Sequence, residues 1–516
     1  MARPKKTPGD APALPLETSP RTAPTGVAIG SKLWSMANTL RAAGVRPADY
    51  QAFILPLLMF KVVCDRNDGE KELVVAEHGE EFWELSGPLM LPFTIPENCG
   101  FFEQQGLAEN LGEALRTALI EIEKSNAQLA GVFLDTDYAS LSDDVIRALY
   151  SILSQVSFSP TQTSQDALGQ AYEYLLGQFA DAAGAKAGQF FTPIQVAKLL
   201  VALTAPQPGE SVYDPTCGSG GLLNTAAEYL VEHGHMRSQV ALFGQELDAQ
   251  SFAIAKVNMF LHGNSGQIRR GDTLLDPKFT NDGSLQQFEV VVANPPFGLE
   301  NTAAGVWPQD RFRRNRWGAV TKKPADLAFV SHMASSLKGI DDASGGPGRA
   351  AVVLPMGALF RKGVEVGMRR NLLESGIVDA VIALPVNLFY NTSIPASILV
   401  LRADHRRGED VLFIDATQGF TKVKKQNTLE AAHLLLIEAA YQTVSDQGGI
   451  RTKLVPRADI IAADSDLTVS RWLPTMTVVN VDVPGALKTL RASEAASARA
   501  SSKFWGRLAG AGYAEN

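Results

Sequence analysis

The spacing of hydrophobic residues divides the chain into two long regions. From about Ser31 to Ser164, apolar residues recur three and four positions apart, as in "ADYQAFILPLLMFKVVCD", and there is little strand-like alternation. This spacing places apolar side chains on one face of an α-helix. It predicts an all-helical N-terminal domain over residues 29–165.

From about Asp166 the pattern changes to short apolar runs separated by amphipathic stretches. The runs are "SVYDP", "ALFGQELD", "QIRRGD", "FEVVVANPP", "RAAVVLP", "DAVIALP" and "ASILVLRA". Short apolar runs bounded by turn residues are typical of buried parallel strands, and their alternation with helices is typical of α/β domains. We therefore predict an α/β domain over residues 166–475, with a mostly parallel sheet and helices on both faces.

The two ends of the chain differ from these regions. Residues 1–28 are rich in Pro, Thr and Ala and lack the apolar segment of a signal peptide, which predicts a flexible tail. Residues 476–516 include "LKTLRASEAASARASSKFWGRLAG", which predicts an amphipathic helix suited to docking on a partner. Simple packing on the core is the alternative for this helix.

Composition narrows the class of protein. Of the 516 residues 45% are hydrophobic, and no apolar run reaches the length of a bilayer, so we expect a globular protein without a membrane role. The three cysteines, Cys64, Cys99 and Cys217, are far apart and lack disulfide or zinc spacing, which favours a cytoplasmic location without a metal site. The formal net charge of −8 indicates that any nucleic-acid contact uses a local basic patch or a basic partner.

Four successive predicted strands end on or just before a polar residue. These residues are Asp214, Glu246, Asp272 and Asn294, and together we name them the polar edge. The carboxyl ends of parallel strands lie along one edge of a sheet, where open α/β sheets bind their ligands. A turn or helix-capping role is the alternative for Asp272, but four successive polar strand ends predict a ligand site.

A glycine-rich turn follows the first of these strands. The stretch "DPTCGSGG", residues 214–221, precedes a predicted helix, and its small residues would let a ligand approach the helix N-terminus. Leu223 stands where a dinucleotide-binding motif has its third glycine, and no phosphate-binding lysine follows. These departures argue against a nicotinamide-dependent dehydrogenase, and a tight packing turn is the plainer alternative.

The strand "EVVVA" stops at Asn294, which is followed by two prolines and Phe297. Pro295 and Pro296 have no backbone N–H and a fixed φ, so this turn has carbonyl acceptors outside the sheet. The Asn294 side-chain oxygen and the Pro295 carbonyl can together accept the two N–H groups of a planar amine or amide.

In this order, "DPTCGSGG", the acidic strand ends and "NPPF" resemble the motifs of adenosylmethionine-dependent adenine-N6 DNA methyltransferases. The stretches "DALGQAYEYLLGQFA" and "GQFFTP" resemble the segment before the catalytic core in modification subunits of type I restriction-modification systems. The helical region resembles the N-terminal domain of those subunits, so the resemblance covers roughly residues 30–475. It implies a Rossmann-like methyltransferase fold preceded by an all-helical N-terminal domain, and Cys217 is a small departure within the glycine-rich turn.

The resemblance also implies two sets of site residues. The residues expected to bind S-adenosylmethionine are Gln189, Phe190, Phe191, Thr192, Pro193, Asp214, Thr216, Cys217, Gly218, Ser219, Gly220, Gly221, Glu246 and Asp272. An alternative for Thr192 is the N-cap of the next helix, with Pro193 as its first residue.

The expected catalytic residues are Asn294, Pro295, Pro296 and Phe297. The first two would orient the amine of a flipped-out adenine, and Phe297 would stack on the base. The methyl group would come from the sulfonium of the cofactor by in-line displacement, a step that needs no metal.

A basic segment, residues 311–323, follows the catalytic turn. It contains Arg311, Arg313, Arg314, Arg316, Lys322 and Lys323, interleaved with Phe312 and Trp317. Its place after the polar edge favours contact with DNA, although a solvated loop is the alternative. Asp326 in "PADLAF" is a further candidate for supporting the pocket.

No region of the sequence looks suited to reading base edges in a DNA groove, so we expect specificity to reside on another chain. The resemblance implies double-stranded DNA as substrate and a separate specificity subunit that binds two modification subunits, with a restriction subunit able to join. Two other hypotheses are methylation of a protein glutamine or an RNA base, and a non-enzymatic DNA-binding or scaffolding subunit. The helical domain and "GQFFTP" argue against the first, and the intact "NPPF", Glu246 and "CGSGG" argue against the second.

Overall fold

The computed structural model describes residues 26–510 with internal gaps. The residues outside the description are 1–25, 88–90, 134, 135, 160, 162, 164–170, 172, 173, 176, 177, 179–191, 342–345, 390–393, 424–426, 474–482 and 511–516. Most of "DALGQAYEYLLGQFA" and the first four residues of "GQFFTP" lie outside the described residues.

The N-terminal region is helical, as the spacing of its apolar residues predicts. Its helices are α1 (Gly26–Ala42), α2 (Tyr50–His78), α3 (Glu80–Ser86), α4 (Phe101–Gln105), α5 (Leu111–Ser125) and α6 (Asp143–Leu153). They enclose one hydrophobic core, with the central part of α2 fully buried. The carboxylate of Asp143 accepts hydrogen bonds from the backbone N–H groups of Asn110 and Leu111 and so ties the start of α5 to the start of α6.

Helix α2 is long and apolar enough, by length and composition, to cross a membrane. However, 67% of its most apolar window is buried within the protein. Lys61 and Asp65, one helical turn apart on α2, form a buried ion pair. Both observations are those of a core helix in the N-terminal region.

The described residues of the second region form thirteen strands. They are β1 (Ser211–Asp214), β2 (Ala241–Glu246), β3 (Gly266–Arg270), β4 (Thr280–Asn281), β5 (Ser284–Leu285), β6 (Val290–Ala293), β7 (Arg349–Pro355), β8 (Val378–Ala383), β9 (Ala396–Arg402), β10 (Asp410–Asp415), β11 (Thr421–Lys422), β12 (Asn427–Thr428) and β13 (Arg451–Pro456). Nine of them form one sheet in the order β13-β10-β8-β9-β7-β6-β1-β2-β3. Strand β9 is antiparallel to both of its neighbours and β13 is antiparallel to β10, while the other pairs are parallel. The prediction of a mostly parallel sheet is confirmed.

Helices cover both faces of this sheet. They are α7 (Ile194–Thr204), α8 (Gly221–Glu232), α9 (Ala249–Leu261), α10 (Asp326–Ser335), α11 (Val364–Glu374), α12 (Ala431–Thr443), α13 (Arg457–Ala462) and α14 (Val469–Trp472). Along β6, Val290 and Val292 pack in the core that includes α7, α8 and α12, and Val291 and Ala293 pack in the core that includes α10 and α11. Because both faces of β6 are buried, the strand is an unbroken apolar run.

Helix α9 connects the helical region to the sheet. Ile254, Val257 and Leu261 belong to the N-terminal core, whereas Ala255 and Met259 on the same helix pack in the core of the sheet. Helix α9 begins three residues after Glu246, which belongs to the polar edge. The helical region is therefore packed close to this part of the polar edge.

The chain also has a long helix near its end, α15 (Val483–Gly510). Its apolar residues Leu487, Leu490, Phe504 and Trp505 are each about half exposed, between 47% and 57%. The helix lies within the segment for which the sequence predicts a helical tail.

Candidate active site

The four strands β3, β2, β1 and β6 are adjacent and parallel, so their carboxyl ends lie at one edge of the sheet. A cavity of about 1050 Å³ opens there, and all four residues of the polar edge line it. Cavities that bind small organic ligands measure roughly 300–1,000 Å³. This cavity is therefore large enough for a cofactor together with part of a second ligand.

Asp214 ends β1 and is almost completely buried, with 1% of its surface exposed. Its Oδ1 accepts a hydrogen bond of 2.9 Å from the backbone N–H of Thr216. Burial, together with the nearby Glu246 carboxyl, raises the pKa of Asp214 to about 8, although hydrogen bonding to Thr216 acts in the opposite direction. The ionised form of Asp214 is thus costly in the protein without a ligand.

Glu246 ends β2, and the backbone holds both of its side-chain oxygens. Oε2 accepts a hydrogen bond from the N–H of Gly218 at 2.9 Å, and Oε1 accepts one from the N–H of Asp248 at 2.8 Å. Burial raises the pKa of Glu246, although these hydrogen bonds act in the opposite direction. Because each carboxylate oxygen can accept about two hydrogen bonds, each keeps capacity for a ligand hydroxyl.

The glycine-rich turn lies between these carboxyl groups. Gly218 and Gly220 have φ values of +52° and +77°, in the left-handed region that favours glycine. The backbone N–H of Cys217 donates to the carbonyl of Gln245 at 3.0 Å, which ties the turn to β2. Cys217 is buried, and burial raises the pKa of its thiol, so the group is a small packed side chain rather than a nucleophile.

Asp272 stabilises a turn, which was the alternative role suggested by the sequence. It also lines the cavity. Its Oδ1 accepts hydrogen bonds from the N–H groups of Leu274 and Leu275 at 2.9 and 3.1 Å. Its Oδ2 accepts the hydroxyl of Thr302 at 2.7 Å. The last contact joins the loop after β3 to the segment that follows the Asn-Pro-Pro turn.

Strand β6 ends at Ala293, and Asn294 is the first residue of the turn beyond it. Asn294 Nδ2 donates a hydrogen bond of 3.0 Å to Oγ1 of Thr192. Within the described part of the chain, no donor contacts Asn294 Oδ1 or the Pro295 carbonyl. Among the described residues, the turn therefore offers the free backbone carbonyl that its two prolines predict, together with the side-chain oxygen of Asn294.

The buried carboxyl groups of the cavity indicate which kind of ligand fits it. Among the described residues, no lysine or arginine forms an ion pair with Asp214 or Glu246. Buried carboxylates usually require a cationic or hydrogen-bonding partner. A ligand that carries positive charge and hydroxyl donors fits this cavity, and S-adenosylmethionine has both. Over the same residues, no group of three His, Cys, Asp or Glu side chains is placed to hold a metal ion.

Comparison with known proteins identifies the family. The N-6 DNA methylase family matches residues 163–480, and the HsdM N-terminal domain matches residues 29–156. This chain belongs to the N-6 DNA methylase family. The protein is a DNA methyltransferase specific for adenine N6 and is a modification subunit of the type I restriction-modification class.

Proteins similar to this chain include methylase subunits of type I restriction enzymes. The chain is 31% identical over 394 residues to the type I restriction enzyme MpnII methylase subunit of Mycoplasma pneumoniae, covering 71% of this chain and 70% of that protein. It is 28% identical over 439 residues to the MjaIX methylase subunit of Methanocaldococcus jannaschii, covering 78% and 75%. The crystal structure of a type I methyltransferase subunit from Streptococcus thermophilus superposes with a TM-score of 0.76 at 29% identity, covering 88% of this chain and 100% of that one.

Most of the residues predicted to bind the methylase cofactor lie around the cavity. Those that line it are Thr192, Pro193, Asp214, Thr216, Cys217, Gly218, Ser219, Gly221, Glu246 and Asp272. Gly220, the N-cap of α8, does not line it, and a side chain at this position would meet Ala255. Gln189, Phe190 and Phe191 lie outside the described residues. Their assignment to the cofactor stays a prediction.

The alternative capping role of Thr192 is wrong by one residue. Helix α7 begins at Ile194, and the backbone carbonyl of Pro193 accepts the first helical hydrogen bonds. Pro193 is thus the N-cap, with the extended ψ of 131° that this position needs. The hydroxyl of Thr192 is left to contact Asn294 instead.

The predicted catalytic residues of the methylase occupy different parts of the site. Asn294 and Pro296 line the cavity, whereas Pro295 between them is buried and its side chain does not line it. Phe297 is partly buried and lies edge-on to Phe389, with ring centroids 5.9 Å apart.

The structure overturns the DNA-contact prediction for Arg314. Arg314 is 2% exposed, and its guanidinium forms two hydrogen bonds with the carboxylate of Asp310, at 2.8 and 2.9 Å. It also donates to the carbonyls of Thr273 and Leu274, at 3.2 and 2.8 Å. Arg314 therefore stabilises the loop that contains Asp272 through these hydrogen bonds.

The other basic residues of this segment remain on the surface. Arg311, Arg313, Arg316, Lys322 and Lys323 are exposed, and Arg316 pairs with Asp341. Of the two interleaved aromatic residues, Trp317 is buried and its indole N–H donates to the hydroxyl of Ser335. Trp317 is thus a packing residue of the segment.

Two parts of the methylase site were missed or left open by sequence reasoning. Phe389 beside Phe297 was missed, because "NLFYNTSIPAS" has no periodic pattern that marks a functional aromatic. Asp326 does support the turn: its Oδ1 accepts the N–H of Gly298 at 3.3 Å, and its Oδ2 accepts Arg361 at 2.6 Å. The adjacency of Asp326 and Gly298 depends on where α10 packs, which no local motif records.

Proposed function

We propose that this methylase subunit transfers a methyl group from S-adenosylmethionine to N6 of an adenine that has flipped out of double-stranded DNA. The observation that carries the proposal is the position of Asn294. Its Oδ1, which has no partner among the described residues, is at the end of β6, in the same cavity as the buried carboxyl groups of Asp214 and Glu246.

On the cofactor side, Glu246 would accept the ribose hydroxyls, because the backbone N–H groups of Gly218 and Asp248 fix the orientation of its carboxylate. Asp214 would lie near positive charge, which favours the ionised carboxylate that burial disfavours in the free protein. Asp272 keeps acceptor capacity beside its turn hydrogen bonds and would contact the adenine end. When bound, S-adenosylmethionine supplies an electrophilic methyl group on a sulfonium sulfur.

On the target side, Asn294 Oδ1 and the Pro295 carbonyl would accept the two N–H groups of the adenine amine. The lone pair of this amine is delocalised into the ring, and an amide has no useful pKa for removing its proton. The two acceptors instead orient the nitrogen and stabilise the positive charge that develops during methyl transfer. Phe297, with Phe389 beside it, would stack on the base and offset part of the unstacking cost of a few kcal/mol.

The exposed cations of the basic segment would contact the DNA backbone near the cavity. Arg311, Arg313, Lys322 and Lys323 are exposed, and no described carboxylate forms an ion pair with any of them. Phosphate contacts of this kind position a DNA duplex without reading its sequence.

Sequence recognition would come from a separate specificity subunit that binds two copies of this chain, with a restriction subunit able to join. Helix α15 is the surface we assign to the specificity subunit, because its Leu487, Leu490, Phe504 and Trp505 are exposed on a helix of 28 residues. Since the proposed substrate is cellular DNA, we propose a cytoplasmic location.

The test measures methyl transfer from labelled S-adenosylmethionine to genomic DNA. It compares the subunit alone, the subunit with a co-expressed specificity chain, and Asn294→Ala in that complex. We expect labelled N6-methyladenine only with the partner, and loss of the label in Asn294→Ala.

Cofactor binding is measured in parallel for each sample. Labelled DNA that is unaffected by Asn294→Ala would remove Asn294 from the site. Cofactor binding without DNA methylation in any mixture would refute the proposed substrate.

A further inference from the structure

The hydrogen bond between Asn294 and Thr192 joins two parts of the chain that are 102 residues apart. Thr192 immediately precedes the N-cap of α7, and Asn294 immediately follows β6. Both side chains are partly buried at the cavity wall. The contact is therefore built by the packing of α7 against the sheet, not by a local turn.

The direction of this hydrogen bond determines which end of the amide faces the cavity. An asparagine side chain has nearly the same shape at its two ends, but one end accepts hydrogen bonds and the other donates them. With Nδ2 directed to Thr192, Oδ1 is the end left for a ligand. A threonine hydroxyl can also donate, so Thr192 alone permits the opposite orientation as well. In that orientation the amide would direct N–H groups at the N–H groups of a target amine, so the amine and Thr192 together select the observed one.

The surroundings of Asn294 offer few other groups for this task. Pro295 and Pro296 have no backbone N–H, and the N–H of Gly298 donates to Asp326. Within the described residues, the Thr192 hydroxyl is the side-chain partner of the Asn294 amide. A valine in place of Thr192 would keep the shape and remove this partner.

We propose that Thr192 is a positioning residue that holds Asn294 in the orientation required to accept the target amine. This inference rests on the proposed function, since it assigns the amine to Asn294. It differs from the sequence-based prediction, in which Thr192 binds the cofactor. The two roles separate cleanly, because a positioning residue acts on the rate of methyl transfer and a cofactor contact acts on cofactor affinity.

The experiment uses the complex with its specificity chain and compares Thr192→Val, Thr192→Ser and the unchanged protein. The measured quantities are the single-turnover methylation rate at saturating cofactor and the cofactor Kd. For Thr192→Val we expect the rate to fall roughly tenfold to a hundredfold, because misplacing a catalytic group by about 1 Å can cost about a hundredfold in rate, with the Kd changed less than about twofold. Thr192→Ser keeps the hydroxyl and should restore most of the rate.

Thr417→Val is the matched control. Its hydroxyl also makes one side-chain hydrogen bond, here as the donor to Asp415 at 2.6 Å, and the residue is partly buried and does not line the cavity. This variant should methylate at the normal rate, so a loss specific to Thr192→Val is not a general effect of replacing threonine.

Three outcomes would overturn the inference while leaving the proposed function in place. They are a normal rate in Thr192→Val, a raised cofactor Kd with a normal rate at saturation, and a failure of Thr192→Ser to recover the rate although its melting temperature is normal. In each, the unchanged complex still produces N6-methyladenine and Asn294→Ala does not. If the unchanged complex produces none, the proposed function itself fails.

Discussion

The polar edge and the basic segment lie close together but relate to the sequence in different ways. Asp214, Glu246 and Asn294 end or directly follow strands whose positions in the sheet are set by buried residues. Asp272 lies two residues beyond the more exposed strand β3, and all four residues line one cavity. The basic segment is a folded loop in which neighbouring arginines have opposite environments. Arg313 is exposed, and Arg314 is buried in an ion pair with Asp310.

The difference shows what kind of sequence signal is reliable. The position of a side chain at the end of a buried parallel strand is well determined, because the register of the whole strand fixes where that residue lies. A charged side chain in a loop can either face solvent or donate hydrogen bonds to buried carbonyls, and the two arrangements differ little in free energy. The packing of the surrounding residues determines which arrangement forms. Four predictions test this contrast.

The largest effect is expected for stability in Arg314→Gln. The variant would leave the Asp310 carboxylate and the carbonyls of Thr273 and Leu274 without their buried donor. Removing one partner of a buried ion pair costs about 3–5 kcal/mol of the free energy of unfolding. Denaturant unfolding should show this loss, while Arg313→Gln should stay within about 0.5 kcal/mol. Equal losses of unfolding free energy in Arg314→Gln and Arg313→Gln would contradict the difference between a buried and an exposed arginine.

The second prediction concerns the cofactor affinity of Glu246→Gln. The substitution keeps the shape but turns one carboxylate oxygen into a donor, which would face the N–H of Gly218 or Asp248 or a ribose hydroxyl. A hydrogen bond to a charged group contributes about 1.5–3 kcal/mol, so the cofactor Kd should rise roughly tenfold to a hundredfold. Titration calorimetry without DNA measures it, with Glu232→Gln, on the exposed end of α8, as control. An unchanged Kd would remove Glu246 from the cofactor site.

The third prediction is a pH dependence that originates from Asp214. Its pKa is raised to about 8, so between about pH 4 and pH 8 the folded protein holds a proton that the unfolded chain has released. The contribution of this group to the free energy of unfolding is therefore largest at low pH and is lost as the pH rises toward 8. Asp214→Asn removes this dependence, so its stability relative to the unchanged protein should increase as the pH rises. Denaturant unfolding without cofactor at several pH values tests this, and parallel pH profiles would refute it.

The smallest effect is expected for Arg313→Gln on DNA binding. If Arg313 contacts one phosphate, the slope of log affinity against log salt should decrease in magnitude by about 0.9. Affinity measured over a range of salt concentrations, in the complex with its specificity chain, gives this slope. An unchanged slope would leave Arg313 as a solvated surface charge.

Sequence reasoning could predict most of the fold and part of the site. The apolar spacing predicted the helical region and the parallel sheet, because burial on one face imposes a period of 3.6 on a helix such as α6 and burial on both faces imposes an unbroken apolar run on a strand such as β6. It did not locate Phe389 beside Phe297, because this pair forms between the loops after β6 and β8. It also misjudged Arg314, because Asp310 and the loop after β3 surround that side chain only in the folded chain.

By itself, the sequence determined the order of the strands' polar ends, the two prolines that leave acceptors at Asn294, and the resemblance to a methyltransferase. These properties are local, since each depends on residues that are neighbours in the chain. Only the tertiary structure decided that Thr192 contacts Asn294, that Arg314 supports the Asp272 loop, and that Asp214 is buried enough to raise its pKa. Those properties arise between residues far apart in sequence, and their energies depend on how completely the fold excludes water from each group.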